Sequence, residues 1–194
     1  MLWAAVAATV LLGSCSRSDG VSPGQVQKFL VVKEVTDNFT RLIQFVGTAE
    51  QGIQTLSQQK PGTAKARGYL SGAKTGWQNV LVETTNFTPT QAKAIPGLAD
   101  AVVATHEAAT QWLLALNAVS EPIRDGSVSS FDALRGKFAR AREAETRARA
   151  ALQTTALSLA RTACSLETAN AGLASSGAAT SDCTSASKLA SAGS

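Results

Sequence analysis

The fold class is decided by residues 32–56, VKEVTDNFTRLIQFVGTAEQGIQTL. Apolar or small residues recur there at alternating intervals of three and four positions: Val32, Val35, Phe39, Leu42, Val46, Ala49, Ile53 and Leu56. This heptad spacing places all of them on one side of an α-helix. We therefore predict a helix over about 24–58, bounded by Pro23-Gly24 and Pro61-Gly62 and roughly 50 Å long.

Two further segments continue the pattern after Pro61. The segment 63–86 has a seam made of Leu70, Ala73, Trp77, Val80, Thr84 and Phe87. The segment after Pro96 has a seam made of Leu98, Val102, Thr105, Ala109, Trp112, Leu116 and Val119. A short helical turn is expected in the connection between them. Pro122 and the turn at residues 124–127 close the third segment.

The fourth segment opens at Ser129 or Ser130, either of which suits a helix N-cap, and runs to about residue 174. Its seam consists of Leu134, Phe138, Ala141, Ala148, Leu152, Leu159, Leu166 and Leu173. Glu145 interrupts this seam, and Thr155 and Thr162 weaken it. The tail 175–194 is rich in Ser, Ala and Gly and is expected to be disordered apart from Cys183.

Four apolar-striped segments joined by short breaks predict an all-α fold, with the bundle over residues 23–174. The specific expectation is an antiparallel up-down four-helix bundle with long first and fourth helices. The chain of 194 residues is long enough for one domain with a real core, and no segment has the alternation of a strand.

The N-terminus begins with an apolar run over residues 2–12, LWAAVAATVLL. The run matches the apolar region of a signal peptide and falls short of the roughly twenty residues that span a bilayer. It ends in Leu12-Gly13-Ser14-Cys15, which resembles the lipobox of bacterial lipoproteins. Two alternatives are a buried N-terminal core helix and a shortened membrane anchor.

The lipoprotein resemblance covers only the signal and Cys15, and it implies a division of the N-terminus. Residues 1–14 would be a signal peptide, Cys15 would be lipidated, and residues 15–22 would form a flexible tether. The location implied is the cell envelope, at the outer face of the cytoplasmic membrane or at the outer membrane. Ser16 in place of aspartate favours the outer membrane.

The chain has three cysteines, an odd number. A lipidated Cys15 would leave Cys164 and Cys183 as a pair. In an exported chain that pair is expected to form a disulfide.

Motifs for catalysis, metals and cofactors are missing from the sequence. There is one histidine, His106, without a Glu-x-x-His motif, and the cysteines lack CxxC spacing. Neither a G-x-S-x-G elbow nor a phosphate-binding glycine loop occurs. We therefore expect that the protein is not an enzyme and binds no cofactor. We interpret His106 as an ordinary boundary histidine. An enzyme would need His106 clustered with Asp100 and Glu107.

A glycine stripe, formed by Gly68, Gly72 and Gly76, recurs at helical spacing beside the second seam. It could admit a close partner helix or form a shallow groove for an acyl chain. The alternative is tight packing within the chain, or simply a weak helix, since each glycine costs up to about 1 kcal/mol relative to alanine.

A basic run in the fourth segment consists of Arg135, Lys137, Arg140, Arg142, Arg147 and Arg149. It could contact anionic lipid, an anionic wall polymer or an acidic partner protein. The alternative is a solvated helix face with the pairs Glu143–Arg147 and Glu145–Arg149. The formal charge of +4 is too small to indicate nucleic acid, and no nucleic-acid partner is expected.

These features favour a membrane-anchored envelope lipoprotein acting as a non-enzymatic helical interaction or assembly module. The long seams offer rigid helical surface for a partner. The alternative is a carrier or sensor that binds a lipid or another apolar ligand between its helices.

Overall fold

The computed structural model describes residues 23–169 and 180–192, and within these ranges the chain is helical and has no strand. The helices are α1 (Pro23–Ser57), α2 (Ala64–Glu83), α3 (Pro89–Ala94), α4 (Leu98–Ala118), α5 (Ser120–Asp125), α6 (Ala139–Ala169) and α7 (Thr180–Ala192). Short 3₁₀ helices occupy Thr84–Asn86 and Phe131–Phe138. The all-α prediction is confirmed. The signal segment, Cys15, the tether and Leu173 lie outside the described residues.

The predicted seams form the hydrophobic core. Every seam residue of α1 is buried except Ile53, which is half-buried. The centre of the core is aromatic: the rings of Trp77 and Trp112 stack with centroids 5.7 Å apart, and Phe138 lies 5.6 Å from Trp112. Aromatic contacts therefore join the seam of α2 to the seam of α4, and the seam of α4 to the start of the fourth segment.

Each long helix packs against the next long helix along the chain. α1 packs on α2 where Ala49 faces Gly76 and Gly52 faces Ala73. α2 packs on α4 through the stacked tryptophans, and α4 packs closely on α6. The contact between α1 and α6 is much sparser than these three. None of the described helices is long and apolar enough to cross a membrane.

Two tight turns meet at one end of the long helices. Gly62, in the connection from α1 to α2, and Gly126, after α5, both have positive φ (81° and 73°). A Cβ built on Gly62 would lie 3.1 Å from Gly126 Cα, and the Gly62 N–H donates to the Ile123 carbonyl at 2.8 Å. Only glycine suits both the backbone conformation and this close approach.

The connection between α2 and α4 holds the expected short helix, α3. Thr88 and Gln91 form its capping box, in which each side chain accepts from the other residue's backbone N–H. Pro122 does not end the third segment, because it lies in the first turn of a separate helix, α5, where no helical hydrogen bond is lost.

The start of the fourth segment differs from an ordinary capped α-helix. Residues Phe131–Phe138 form a 3₁₀ helix before α6 begins at Ala139. Ser130 occupies the N-cap position, but its hydroxyl makes no capping hydrogen bond. The tighter helix still buries Leu134 and Phe138, so core packing is satisfied without the cap.

The expectation of disorder in the C-terminal tail is wrong for residues 180–192. Residues Thr180–Ala192 form α7, which packs on α6 and reaches α1. Cys183 forms the expected disulfide with Cys164, with Cα atoms 4.6 Å apart. The Cys183 N–H donates to the Glu167 carboxylate at 2.8 Å, and Ala186 is buried. The covalent bridge and these contacts compensate for a composition that is otherwise poor in apolar residues.

Candidate functional site

The sparse contact between α1 and α6 leaves two adjoining clefts, which we call the α1–α6 groove. One cleft, of about 680 Å³, lies between Glu50 and Gln54 of α1 and the Glu145–Arg149 turn of α6, with Trp112 below. The other, of about 500 Å³, continues toward the end of α1 and the 3₁₀ segment. Both are lined by Ile53, Ser57 and Arg142.

A third cleft, of about 460 Å³, extends the groove in the opposite direction. It shares Glu50 and Arg149 with the groove and is mostly apolar, lined by Ile43, Val46, Leu152, Ala156 and Leu189. Because Leu189 belongs to α7, the disulfide-held tail helix forms one side of this apolar cleft.

A cluster of polar side chains lies where Glu145 interrupts the seam of the fourth segment. Glu145 Oε2 accepts a hydrogen bond from Trp112 Nε1 at 2.9 Å, and Glu145 Oε1 pairs with Arg149 at 3.3 Å. Arg149 Nη2 also reaches Glu50 Oε2 of α1 at 2.6 Å. Arg149 therefore bridges two carboxylates, one from each side of the groove. This bridge connects α1 to α6.

Glu50 is the member of this polar cluster whose surroundings least favour a charged carboxylate. Its side chain is only 19 % exposed, and its Oε1 is buried without a hydrogen-bond partner in the described part of the chain. Burial raises the pKa of Glu50 to about 7, Arg149 opposes the shift, and the charge of Glu145 adds to it. Glu50 thus gains or loses its proton near neutral pH.

The structure divides the basic run between different surfaces. Arg135, Arg142 and Arg149, spaced seven residues apart, line the groove. Arg135 pairs with Asp132 at 3.1 Å, whereas Arg142 makes no ion pair within the described residues. The run is therefore not one continuous basic face.

The remaining basic residues point elsewhere. Arg147 pairs with Glu143 at 2.8 Å and with Glu107 of α4 at 3.0 Å. Lys137 and Arg140 are exposed, line neither cleft of the groove and make no ion pair within residues 23–169 and 180–192. The predicted pairs Glu143–Arg147 and Glu145–Arg149 are both present.

The glycine stripe does not act as one surface. Gly76 packs against α1, since a Cβ built there would lie 3.1 Å from Ala49 Cα. Gly68 and Gly72 are exposed, and a Cβ on either would meet nothing within 4 Å. Tight packing within the chain thus accounts for Gly76, and none of the three glycines lines the groove.

His106 has the position of a boundary histidine. It is exposed on α4, and its Nδ1 lies 3.0 Å from the Thr84 hydroxyl. Its neighbour Glu107 is paired with Arg147 instead. Within the described residues no group of three His, Cys, Asp or Glu side chains could hold a metal ion.

Sequence reasoning missed Glu50 and the groove. The available signal was the pair of acidic residues beside or within two seams, Glu50 next to Ala49 and Glu145 in place of an apolar residue. A buried indole N–H such as that of Trp112 also requires an acceptor. The sequence alone does not indicate that the fold brings both carboxylates into contact with the same arginine.

Neither a family model, nor a curated protein, nor a solved structure matches this chain. Function is therefore inferred from the residues and their arrangement alone. The groove combines an apolar base with charged sides.

Proposed function

We propose that this protein is a lipid-anchored helical interaction module of the cell envelope, and that it is not an enzyme. The anchor would be an acylated Cys15, placed by the motif Leu12-Gly13-Ser14-Cys15 at the outer face of the cytoplasmic membrane or at the outer membrane. The disulfide between Cys164 and Cys183 supports an oxidising location outside the cytoplasm.

The interaction domain is, in this proposal, an up-down bundle of α1, α2, α4 and α6, to which α3, α5 and α7 are added. Support comes from the contacts of α1 with α2, α2 with α4 and α4 with α6. Such a bundle closes when its first and last helices pack together. Here that last contact is sparse.

The open contact between α1 and α6 is the observation that carries the docking function. The half-buried Ile53 of an otherwise buried seam lines both clefts of the groove. A partner segment in the groove would cover this residue and complete the bundle, in the way that amphipathic helices fill grooves between helices. The partner would be another protein of the envelope.

The anchor is tested by replacing its proposed attachment residue. Cys15→Ala should move the protein from the membrane fraction to the soluble fraction of the periplasm or medium, because acyl chains supply the membrane affinity. Ser14→Ala is the matched control, since it keeps a small residue before the cysteine, and should leave the protein in the membrane fraction. Membrane association of Cys15→Ala equal to wild type would refute the lipid anchor.

The docking surface is tested by photo-crosslinking in cells. A photoreactive residue at Gln54, which lines the groove, should give one defined adduct, identified by mass spectrometry. The same residue at Ser71, exposed on α2, is the control and should not give that adduct. The purified partner should then bind the full chain, and Ile53→Asp should weaken this binding. An adduct pattern that is the same from both positions would argue against a dedicated docking surface.

The alternative function is that of a carrier for a lipid or another apolar ligand. The observation favouring it is the apolar cleft of about 460 Å³ between α1, α6 and Leu189 of α7. Native mass spectrometry of the full chain distinguishes the two functions. A co-purifying amphiphile, displaced when Leu152→Gln is introduced, would favour the carrier.

A further inference from the structure

We infer that the α1–α6 groove binds an acidic amphipathic helix of a partner protein, with carboxylates of that helix pairing with Arg142 and Arg135. This inference rests on the proposed docking function and names the chemistry of the partner. It is drawn from the apolar base of the groove, from the state of its charged residues and from its shape.

The base of the groove is apolar in the cleft that lies toward the end of α1. Leu116 and Phe138 are buried below it, and Ile53 and Phe131 are half-buried at its sides. A partner that covers only charges would leave the exposed parts of Ile53 and Phe131 in contact with water. The occupant therefore needs an apolar face that covers these two side chains.

The free charge of the groove is positive. Arg149 is already held by Glu50 and Glu145, so these two carboxylates are not available to Arg142. Arg142 has no ion pair in the described part of the chain. Arg135 has only Asp132, whose side chain is 83 % exposed, and such exposed pairs are weak.

Lys60 adds a further positive charge beside Arg135 and Arg142 at the open end of the groove. Asp132 is the one acidic residue lining that cleft. The charge that complements this surface is negative, which selects acidic over basic partner segments.

The spacing of the two arginines suits a helix. Residues seven apart on an α-helix lie roughly 10.5 Å apart along its axis. Arg135 and Arg142 are also seven apart, and the 3₁₀ turns up to Phe138 stretch their separation only slightly, to about 12 Å. Two carboxylates one heptad apart on a partner helix can therefore reach both arginines.

The shape of the groove also favours a helix over an acyl chain. It follows α1 from Gly47 to Ser57, a length of roughly 15 Å or nearly three helical turns, and continues beyond the end of α1 to Pro61. Both clefts are open to solvent along this length. A helix keeps its polar face in water while burying its apolar face, whereas an acyl chain needs enclosure on all sides.

A charge-swap experiment tests this inference with two synthetic 21-residue helical peptides. Both have the same Leu and Ile seam, and they carry either Glu or Lys at two flanking positions seven residues apart. Binding to the full chain in detergent micelles is measured by fluorescence anisotropy. We expect the Glu peptide to bind at least about tenfold more tightly than the Lys peptide, with an affinity that falls as salt is added.

The variants assign the effect to the groove. Arg142→Glu should weaken the Glu peptide about tenfold or more and strengthen the Lys peptide. Arg140→Glu makes the same charge change on α6 outside the groove, and should alter either affinity less than about threefold. Both arginines are exposed, so circular dichroism should show wild-type helicity for both variants.

Three results would overturn the inference. The first is equal affinity for the Glu and Lys peptides, and the second is an equal loss in Arg142→Glu and Arg140→Glu. The third is that phosphatidylglycerol vesicles bind in an Arg142-dependent way while neither peptide does, which would assign the groove to lipid headgroups. In each case an adduct from Gln54 would still stand as evidence for protein docking, so failure of the acidic-helix inference is separable from failure of the proposed function.

Discussion

The indole N–H of Trp112 donates to Glu145 Oε2 across 2.9 Å, which joins the aromatic core of α4 to the one acidic residue in the seam of α6. Trp112 is 2 % exposed and stacks on Trp77, so this bond lies at the base of the α1–α6 groove. The carboxylate of Glu145, which interrupts the seam, thus has a hydrogen-bond donor in the core. The same carboxylate also lines the groove.

We expect Trp112→Phe to destabilise the protein beyond the loss of ring volume. The substitution keeps an aromatic ring but removes the donor to Glu145, which should cost about 1–3 kcal/mol for a partly buried carboxylate. Trp77→Phe is the matched control, because Trp77 is equally buried but its Nε1 has no partner in the described residues. Urea denaturation followed by circular dichroism measures both, and equal losses of unfolding free energy would contradict the role of this bond.

Stability should fall as the pH rises toward neutrality because of Glu50. Its pKa is about 7 in the folded protein, against 4.5 ordinarily, so the folded state holds the proton more tightly. The resulting stabilisation is full below pH 4.5 and is lost as the pH rises through about 7. We expect this group to make unfolding about 1–2 kcal/mol easier at pH 8 than at pH 5.

The contribution of Glu50 is isolated by comparing variants in urea titrations at the two pH values. Glu50→Gln cannot ionise, so its unfolding free energy should change less between pH 5 and pH 8 than that of the wild type. Glu34→Gln, at an exposed position on α1, should keep the wild-type difference. If Glu50→Gln retained the full pH dependence, the proton of Glu50 would not be its source.

Substitutions in the glycine stripe should have opposite effects on stability. Gly76→Ala would place a Cβ 3.1 Å from Ala49 Cα and force α1 and α2 apart, at a cost of about 1–3 kcal/mol. Gly72→Ala meets nothing within 4 Å and should stabilise α2 by up to about 1 kcal/mol. Thermal unfolding followed by circular dichroism checks both signs. A stabilised Gly76→Ala would show that α1 and α2 do not pack this closely.

Loss of the disulfide should loosen α7 and leave the long helices intact. Peptide mapping without reductant should first recover Cys164 joined to Cys183. In Cys183→Ser, amide hydrogen exchange of residues 180–192 should rise strongly, because Ala186 is the one fully buried residue among the described side chains of α7. In the chain-entropy model, losing this disulfide lowers the free energy of unfolding by about 3 kcal/mol.

Residues in α2 and α4 serve as the internal control for the disulfide variant. Their exchange should stay at the wild-type level, since α7 contacts α6 and α1 instead. Unchanged protection of α7 itself would mean that its noncovalent contacts are sufficient to hold it.

The helices could be predicted because their information is local. Heptad spacing places Val35, Phe39 and Leu42 on one helix face whatever lies opposite, and burial of that face then follows from the hydrophobic effect. The helix in the tail was harder to predict although its disulfide was expected, because the tail is poor in apolar residues and its order comes from contacts with α6 and α1.

By itself, the sequence determined the helical class, the buried seams and the pairing of the two C-terminal cysteines. Only the tertiary structure decided that α1 and α6 make few contacts, that Arg149 bridges Glu50 and Glu145, and that Arg142 has no ion pair among the described residues. The physical reason is that helix periodicity concerns residues three and four positions apart, whereas charges on different helices meet only after packing has placed them.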